Sequence, residues 1–226
     1  MRRKTTQRSG LFLTFEGIEG SGKTTQCVRL AKALRDQGVR VVETREPGGT
    51  PFAEAIRAVL LDPPLAAGKE PVSPLCEAFL IMAARSQHVA EVIRPALQEG
   101  AIVLCDRFSD STLAYQGYAR GLDRTLLQRL SLIASQGLMP DLTLLFDLPV
   151  DRGLARRRSE ELHGMQQNRI DRESLAFHDR VRCGFLDLAR RHARRITVLD
   201  ATRVADELER EVRSRVMKVL RRRYAL

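Results

Sequence analysis

Five short apolar segments alternate with stretches of helical periodicity along the chain. The apolar segments are Leu11–Phe15, Val39–Glu43, Ala101–Cys105, Leu142–Phe146 and Ile196–Leu199. This alternation predicts an α/β fold, in which helices cover both faces of a five-stranded parallel sheet. Ligands of such sheets bind beyond the carboxyl ends of the strands. The residues that follow each strand are therefore the first candidates for function.

The helical stretches have recognisable ends. Apolar spacing, capping residues and glycine or proline positions predict helices over Thr24 to about Gln37, from Thr50-Pro51 onward, from Ser73 to about Glu99, up to about Arg191, and from about Val204. Pro95 lies inside the third of these, and we expect it to kink or divide that helix.

The first predicted strand is followed by a glycine-rich loop of the pattern G-x-x-x-x-G-K-T. Its residues are Gly17, Ile18, Glu19, Gly20, Ser21, Gly22, Lys23 and Thr24. Between a strand and a helix this pattern is typical of a phosphate-binding P-loop, because glycines let successive N–H groups point at phosphate oxygens. The lysine would reach the β- and γ-phosphates of ATP, and the threonine hydroxyl would bind Mg²⁺. A ligand-free turn is the alternative, which the context disfavours.

Length and composition limit the other possibilities. A chain of 226 residues fits one α/β domain over 1–226 with a sizeable core. It has no apolar run of membrane-spanning length, and the apolar segment near its start is too short for a signal peptide. We therefore expect no membrane association. Four scattered cysteines and four scattered histidines favour reduced thiols in the cytoplasm and no structural metal.

The net charge of +10 is concentrated at the two ends of the chain. Residues 1–10 carry four basic side chains and no acidic one, and so do residues 217–226. Removing these eight charges from +10 leaves +2, which is ordinary for a globular protein. The ends could contact nucleic acid, but solvated termini are the simpler interpretation. No nucleic-acid partner is expected.

Charged residues follow the second and third strands and interrupt one helix. Arg45 and Glu46 precede Pro47-Gly48-Gly49, and local features leave open whether they are directed at a ligand or form a surface pair. Arg85 lies in an apolar helical stretch, where it must extend to solvent, pair or face a cleft; spacing alone favours extension to solvent. Asp106-Arg107 could hold Mg²⁺ and a phosphate, or form a structural ion pair.

A segment rich in arginine follows the fourth strand, at about 150–172. It includes Arg156, Arg157 and Arg158, and its middle is polar. Such a segment could close as a lid over a triphosphate, or it could be only a solvated face. Consecutive helical residues point about 100° apart, so all three arginines cannot grip one phosphate.

More arginines are present than a hydrolase needs. Arg45, Arg85 and Arg107 could build a second anion site, which a phosphoryl transferase requires for its acceptor. A phosphate acceptor has its second pKa near 6, so at neutral pH it is largely a nucleophilic dianion that needs no general base. These residues indicate a nucleotide kinase.

Several blocks of the chain resemble the thymidylate kinase family. They are Phe15–Thr25, Thr44–Thr50, Asp106-Arg107, Ser111–Gly117, Pro140–Thr143 and Arg169–Asp171. The resemblance spans nearly the whole chain and implies ATP- and Mg²⁺-dependent phosphorylation of dTMP to dTDP, supplying dTTP synthesis. It implies a homodimer, with the helix that carries Arg85 as a plausible interface.

The resemblance also implies roles for individual residues. Glu19 would lie near the sugar or phosphate of dTMP, and Arg45 and Arg107 would bind its phosphate. Arg85 would contact the thymine edge. The pocket around base and ribose would be lined by Thr112, Tyr115 and Gln116. A P-loop with a carboxylate and no arginine resembles the bacterial subtype, in which Arg156, Arg157 or Arg158 of the lid would act on the transferred group, beside Lys23 and with Mg²⁺ on Thr24 and Asp106.

Two positions depart from the family pattern. Ile81 stands where the family commonly has a phenylalanine that stacks on the base, and Phe79 is two positions away. Asn168 replaces the acid that precedes Arg169 in the second arm of the lid. A kinase with a broader range of monophosphates, and a P-loop protein that binds nucleic acid through its basic ends, remain the alternatives.

Overall fold

The structure is a computed structural model that describes residues 10–61, 72–162 and 168–224. Its five strands are all parallel and form one sheet in the order β2-β3-β1-β4-β5. The strands are β1 Leu11–Glu16, β2 Val41–Arg45, β3 Ile102–Asp106, β4 Leu142–Asp147 and β5 Ile196–Asp200. The predicted α/β fold with a five-stranded parallel sheet is confirmed. The basic residues 1–9 lie outside the described part of the chain.

Helices connect these strands and cover both faces of the sheet. They are α1 Lys23–Arg35, α2 Pro51–Leu61, α3 Pro74–His88, α4 Arg94–Gln98, α5 Ser109–Thr112, α6 Arg124–Ala134, α7 Val150–Leu162, α8 Leu175–Arg191 and α9 Ala205–Tyr224. Two π-helical segments, Val89–Ile93 and Leu113–Ala119, follow α3 and α5. No helix among the described residues is both long and apolar enough to cross a membrane.

Alternate side chains of the central strand β1 enter two separate apolar clusters. Leu13 and Phe15 pack in the larger cluster, which includes residues of α1, α8 and α9. Phe12 packs in the smaller cluster with Val89 and Phe108. The period of two along a strand explains this division, because successive side chains point to opposite faces. The strand is buried along its whole length, as expected for a parallel sheet covered on both sides.

The second strand begins two residues later than the sequence predicts. Val39 still belongs to the turn after α1, since its N–H donates to the carbonyl of Leu34 at 3.1 Å. Pairing with β3 runs from Val41 to Arg45, which is in register with Asp106. Arg45 therefore lies at the end of the strand and not in the following turn. Both residues are thereby placed at the carboxyl edge of the sheet.

The long helix is divided, as expected, but the division begins at Val89 and not at Pro95 itself. The α-helix α3 ends at His88, a π-helical turn follows over Val89–Ile93, and the short helix α4 carries Pro95 in its first turn. The backbone stays helical through this change, since the N–H of Arg94 donates to the carbonyl of Val89, five residues earlier. The expected caps of α2 and α3 also form, with Thr50 accepting from Ala53 N–H and Ser73 from Cys76 N–H.

Candidate active site

The glycine-rich loop curls between β1 and α1 with backbone angles that residues other than glycine rarely adopt. Gly17 has φ 144°, Gly20 has φ 69° and Gly22 has φ 84°. A β-carbon on Gly17 would lie 2.6 Å from the carbonyl oxygen of Phe146. The loop therefore needs glycine for its conformation and for its close approach to β4. Its shape is that expected of a phosphate-binding loop.

Lys23 lies inside this loop. Its ammonium donates to the Ile18 carbonyl at 3.1 Å, so it reaches back across the loop. Burial and, after it, the nearby charge of Arg107 lower the pKa of Lys23 to about 8. Removing a cation from water is costly unless an anion compensates it. The loop thus holds a buried cation that a phosphate would stabilise.

Thr24 and Asp106 meet at the start of α1. The threonine hydroxyl donates to Asp106 Oδ2 across the space between the P-loop and the end of β3. The other carboxylate oxygen of Asp106 is buried and has no hydrogen-bond partner among the described residues. A hydroxyl and a carboxylate are the oxygen ligands that Mg²⁺ accepts, together with phosphate oxygens and water. This donor set fits a magnesium ion carried by a nucleotide.

Three side chains from other parts of the chain contact the carboxylate of Glu19. Its Oε1 accepts from Arg107 at 2.9 Å and from the Tyr115 hydroxyl at 2.7 Å. Its Oε2 lies 3.4 Å from Nδ1 of His178, a buried residue of α8. Burial acts to raise the pKa of Glu19, but Arg107 and His178 hold it well below its usual range. Glu19 is thus an ionised carboxylate that joins the P-loop to the turn after β3.

Arg107 adopts a left-handed backbone conformation, with φ 72°. Besides Glu19, its guanidinium donates to the Gly17 carbonyl at 3.0 Å and the Ser111 hydroxyl at 3.2 Å, and it lies over the Tyr115 ring. Its ion pair is with Glu19 and not with the neighbouring Asp106. The alternative of a strand-end Asp106–Arg107 pair is therefore wrong.

Arg85 does not extend to solvent, so the interpretation that spacing favoured is wrong. Its side chain is 1% exposed and pairs with Glu46 at 2.7 Å. It also donates to Thr112 at 2.9 Å and lies over the Phe108 ring. Pairing compensates the cost of burying the charge. Glu46 is not a surface residue either, because it is buried between Arg85 and His88.

Arg45, in contrast, is largely exposed. Its guanidinium donates to Glu54 of α2 at 3.0 Å. Glu54 also accepts from the Gly49 N–H at 3.0 Å and so ties α2 to the turn after β2. The two charged residues next to this turn therefore have different surroundings. Arg45 stays at the rim, while Glu46 enters the interior.

One cavity of about 470 Å³ connects these groups. The predicted site residues that line it are Glu19, Gly20, Gly22, Lys23, Thr24, Arg45, Arg85, Asp106, Arg107, Thr112, Tyr115, Gln116 and Arg157. Those outside its lining are Gly17, Ile18, Ser21, Arg156 and Arg158. Ile81 lines the cavity, whereas Phe79 is 53% exposed on the outer side of α3 and does not replace the missing aromatic platform.

The first arm of the predicted lid is α7, which contacts the P-loop directly. A β-carbon on Gly153 would lie 2.6 Å from the Glu19 carbonyl oxygen, so the two backbones pack without a side chain between them. Arg156 donates to the Gly20 carbonyl at 3.1 Å. The first arm of the lid therefore packs directly against the P-loop.

The next two arginines of α7 differ in their surroundings. Arg157 is held by Asp171 at 2.7 Å and by Glu160 at 2.6 Å. Arg158 is exposed, and no hydrogen bond or ion pair joins it to the described residues. Sequence spacing could not separate these neighbours. Residues 163–167, in the polar middle of the lid, lie outside the described part.

The second arm of the lid folds back over the cavity at residues 168–173. Asn168 Oδ1 accepts from the N–H groups of Ile170 and Asp171, so the amide that replaces the family's acid shapes a turn. Arg169 donates to the Leu60 carbonyl at 3.0 Å and pairs with Glu77 of α3. This arm thus connects α2 and α3 at the mouth of the cavity.

Sequence reasoning missed several residues of the site. Glu16, Glu77 and His178 are buried titratable residues, and Glu77 lines the cavity. Glu77 could have been noticed as an acid in the same apolar helical stretch as Arg85. Burial and the charge of Asp110 raise the pKa of Glu16 to about 8. Glu16 accepts from Phe108 N–H and Ser111 Oγ, and so fixes the turn after Arg107.

Comparisons with known proteins agree with this geometry. The family model described as thymidylate kinase matches residues 15–212. The thymidylate kinase of Geobacter sulfurreducens is 55% identical over 210 residues, covering 88% of this chain and 96% of that protein. The thymidylate kinase of Symbiobacterium thermophilum is 47% identical over 214 residues, covering 95% and 96%.

A solved structure shows the same fold. The crystal structure of thymidylate kinase from Ehrlichia chaffeensis has a TM-score of 0.72 and 34% identity, covering 92% of this chain and 99% of that one. The five-stranded parallel sheet, the P-loop and the matched blocks thus occur together along one chain. The chain belongs to the thymidylate kinase family, whose members phosphorylate dTMP to dTDP with ATP.

Proposed function

We propose that this chain transfers the γ-phosphoryl group of ATP directly to the phosphate of dTMP. The observation that carries the proposal is the single cavity that both Lys23 and Arg85 line. A triphosphate on the P-loop and a monophosphate beside Arg107 would occupy one connected space. A hydrolase has no need for such an acceptor site, because it positions only water.

On the donor side, the P-loop N–H groups and Lys23 bind the phosphates of ATP. The start of α1 adds its unpaired N–H groups and its partial positive charge. The turn after β5 at Ala201 lies beside the lid, since Arg156 donates to its carbonyl at 3.4 Å. This turn is a candidate for holding the adenine base through backbone groups.

On the acceptor side, Arg107 and the rim residue Arg45 bind the phosphate of dTMP. Glu19 holds the Arg107 guanidinium in place, at 2.9 Å. Arg85 reaches the base edge, where Thr112 already accepts from it at 2.9 Å. The acceptor is nucleophilic as a dianion, so these residues accelerate transfer by orientation and charge neutralisation.

Thr24 and Asp106 would hold a magnesium ion that enters with ATP. The buried, unpartnered oxygen of Asp106 supports this assignment. No cluster of three or more histidine, cysteine, aspartate or glutamate residues that could hold a metal occurs in the described ranges. Phosphate oxygens and water would therefore supply most of the ligands. When bound, the ion neutralises charge on the phosphates.

Of the three predicted lid arginines, Arg156 and Arg158 pair with no carboxylate among the described residues, and we assign them to the transferred group. Arg157 already satisfies the buried carboxylate of Asp171. Arg156 donates to the Gly20 carbonyl of the P-loop, and Arg158 is exposed on the same helix. Arg157 then fixes the two arms of the lid to each other, although it also lines the cavity.

We also propose that the chain forms a homodimer through α2, α3 and α6. Helix α3 packs between the other two. Large apolar side chains are exposed on these helices, namely Phe52, Leu75, Phe79, Leu126 and Ile133. Exposed apolar surface of this kind is typical of an interface. Sedimentation should give a dimer mass, and Phe79→Glu should give a monomer.

We further propose that residues 1–226 form one domain and that the protein is cytoplasmic. The single sheet supports the first, since all five strands pair within it. The four free cysteines support the second, because such thiols are usual in reducing compartments.

The experiment is a panel of acceptors: purified protein, ATP and Mg²⁺ with dTMP, dUMP, dCMP, dAMP or dGMP, with diphosphate products separated by chromatography. We expect dTDP to form fastest. Equal rates across the panel would instead support a kinase of broad specificity, which loss of the aromatic platform at Ile81 favours. Absence of all diphosphates would contradict the proposal.

A further inference from the structure

Glu77 is a buried carboxylate of the cavity lining that contacts both a residue of the acceptor pocket and a residue of the lid. Its side chain is 2% exposed. Its Oε1 accepts from the Gln116 amide at 2.7 Å and from Arg120 at 3.3 Å. Its Oε2 accepts from Arg169 of the lid. Glu77 thus connects a residue of the acceptor pocket with two cations.

The two cations keep this carboxylate ionised. Burial acts to raise the pKa of Glu77, but the hydrogen bond from Arg169 and the charge of Arg120 hold it below its usual value. An ionised carboxylate can only accept hydrogen bonds. The atom of Gln116 that faces Glu77 must therefore be the amide nitrogen and cannot be the oxygen.

This restriction determines what Gln116 can offer to a ligand. With its nitrogen held by Glu77, the amide oxygen is left free for a ligand, because it accepts no hydrogen bond from the described residues. Gln116 is itself 3% exposed and lines the cavity. The pocket thus presents a fixed hydrogen-bond acceptor whose orientation does not depend on the bound molecule.

Pyrimidine bases differ in the group that meets such an acceptor. Thymine and uracil carry a hydrogen on ring nitrogen N3, whereas the same atom of cytosine has a lone pair. A buried acceptor that meets a lone pair loses its hydrogen bond and is repelled, and mismatched buried polar groups are costly. A freely rotating amide would tolerate both bases, because it could present either end.

We propose that Glu77 is a positioning residue for base selection, which acts by fixing the Gln116 amide so that its oxygen selects bases with an N3–H donor. The inference rests on the proposed dTMP kinase function and adds to it a determinant outside the base-contacting residues. Glu77 contacts the base only through Gln116.

The competing explanation is that Glu77 serves only to neutralise Arg120 and Arg169. Loss of such a structural role would lower the activity with all acceptors alike. Selection through Gln116 would instead change the ratio between acceptors. The ratio of kcat/KM for dTMP to kcat/KM for dCMP therefore separates the two explanations.

The test measures this ratio in Glu77→Gln and in the matched control Glu173→Gln, which also removes a carboxylate beside Arg120. A glutamine at position 77 can donate or accept, so it lets the Gln116 amide turn. We expect the ratio to fall on the order of tenfold or more, the effect of about one buried hydrogen bond. Glu173→Gln removes the other carboxylate that pairs with Arg120 but leaves Glu77, both of its cations and the Gln116 contact, so its ratio should stay within about twofold of the unchanged protein.

An unchanged ratio in a folded, active Glu77→Gln variant would overturn the inference. If that variant does not fold, Gln116→Leu decides the question, because it removes the amide and should lower the same ratio. A Gln116→Leu variant that keeps the original ratio would equally overturn it. Failure of the proposed function is distinguishable, because the unsubstituted protein would then form no dTDP at all.

Discussion

Glu19 of the P-loop and Arg107 of the turn after β3 form an ion pair with atoms 2.9 Å apart. The pair joins the loop that receives ATP to the residue that we assign to the acceptor phosphate. Both side chains are largely buried, so water screens their interaction only weakly. The orientation of Arg107 therefore depends on a residue of the nucleotide loop.

Glu19→Gln should weaken acceptor binding more than ATP binding. The amide keeps the shape of the side chain but loses the charge that holds Arg107. A charge-assisted hydrogen bond contributes about 1.5–3 kcal/mol, so the KM for dTMP should rise by about tenfold or more. Steady-state kinetics with each substrate varied in turn would show this. Equal increases in both KM values would contradict the assignment of Glu19 to the acceptor side.

Breaking the buried Arg85–Glu46 pair should destabilise the protein strongly. Arg85→Met leaves the Glu46 carboxylate buried, with only His88 beside it, and such losses cost about 3–5 kcal/mol. The exposed pair of Arg45 and Glu54 provides the control, because Arg45→Met should cost about 1 kcal/mol or less. Urea denaturation gives both free energies of unfolding. Similar values for the two variants would rule out this difference.

Gly153→Ala should separate the lid from the P-loop. Its methyl group would lie 2.6 Å from the Glu19 carbonyl, so the first turn of α7 must move. We expect kcat to fall by about tenfold or more, since small misplacements of catalytic groups have effects of this size.

The control is Gly184→Ala in α8, whose methyl group would meet the Tyr118 ring at 2.7 Å and not the P-loop. It should lower the melting temperature while kcat stays nearly constant. If Gly153→Ala keeps full kcat, the contact between α7 and the loop has no role in transfer.

Alanine substitutions should separate the lid arginines into those that affect kcat and one that affects stability. Arg156→Ala combined with Arg158→Ala should lower kcat by about a thousandfold, as expected for cations that stabilise a transferring phosphoryl group. Arg157→Ala should lower thermal stability instead, because it leaves the Asp171 carboxylate, 1% exposed, without its strongest partner. A thousandfold loss of kcat in Arg157→Ala, with the double variant active, would reverse the assignment.

The sequence predicts the fold and the P-loop well because both are local. Periodicity identifies all five strands, and the spacing of Gly17 to Thr24 identifies the phosphate loop. The error in β2 concerns an edge strand, where the turn after α1 extends to Val39 before pairing begins. Element ends are decided by hydrogen bonds that the pattern does not show.

The partners of charged residues could not be predicted in the same way. Arg85 interacts with Glu46, which is 39 residues away in the sequence, and Glu19 meets His178 from a helix near the other end of the chain. Only the folded sheet brings them together. Arg157 differs from Arg158 because it pairs with Asp171, a residue of the second arm of the lid.

The most direct test of the account is to follow the γ-phosphoryl group of ATP. The protein is incubated with γ-³²P-labelled ATP, Mg²⁺ and dTMP, in parallel with the Lys23→Ala variant, and the labelled products are separated. We predict that the label appears in dTDP and that Lys23→Ala forms this product several orders of magnitude more slowly. Label released only as inorganic phosphate, or equal transfer by the variant, would contradict direct transfer at the P-loop.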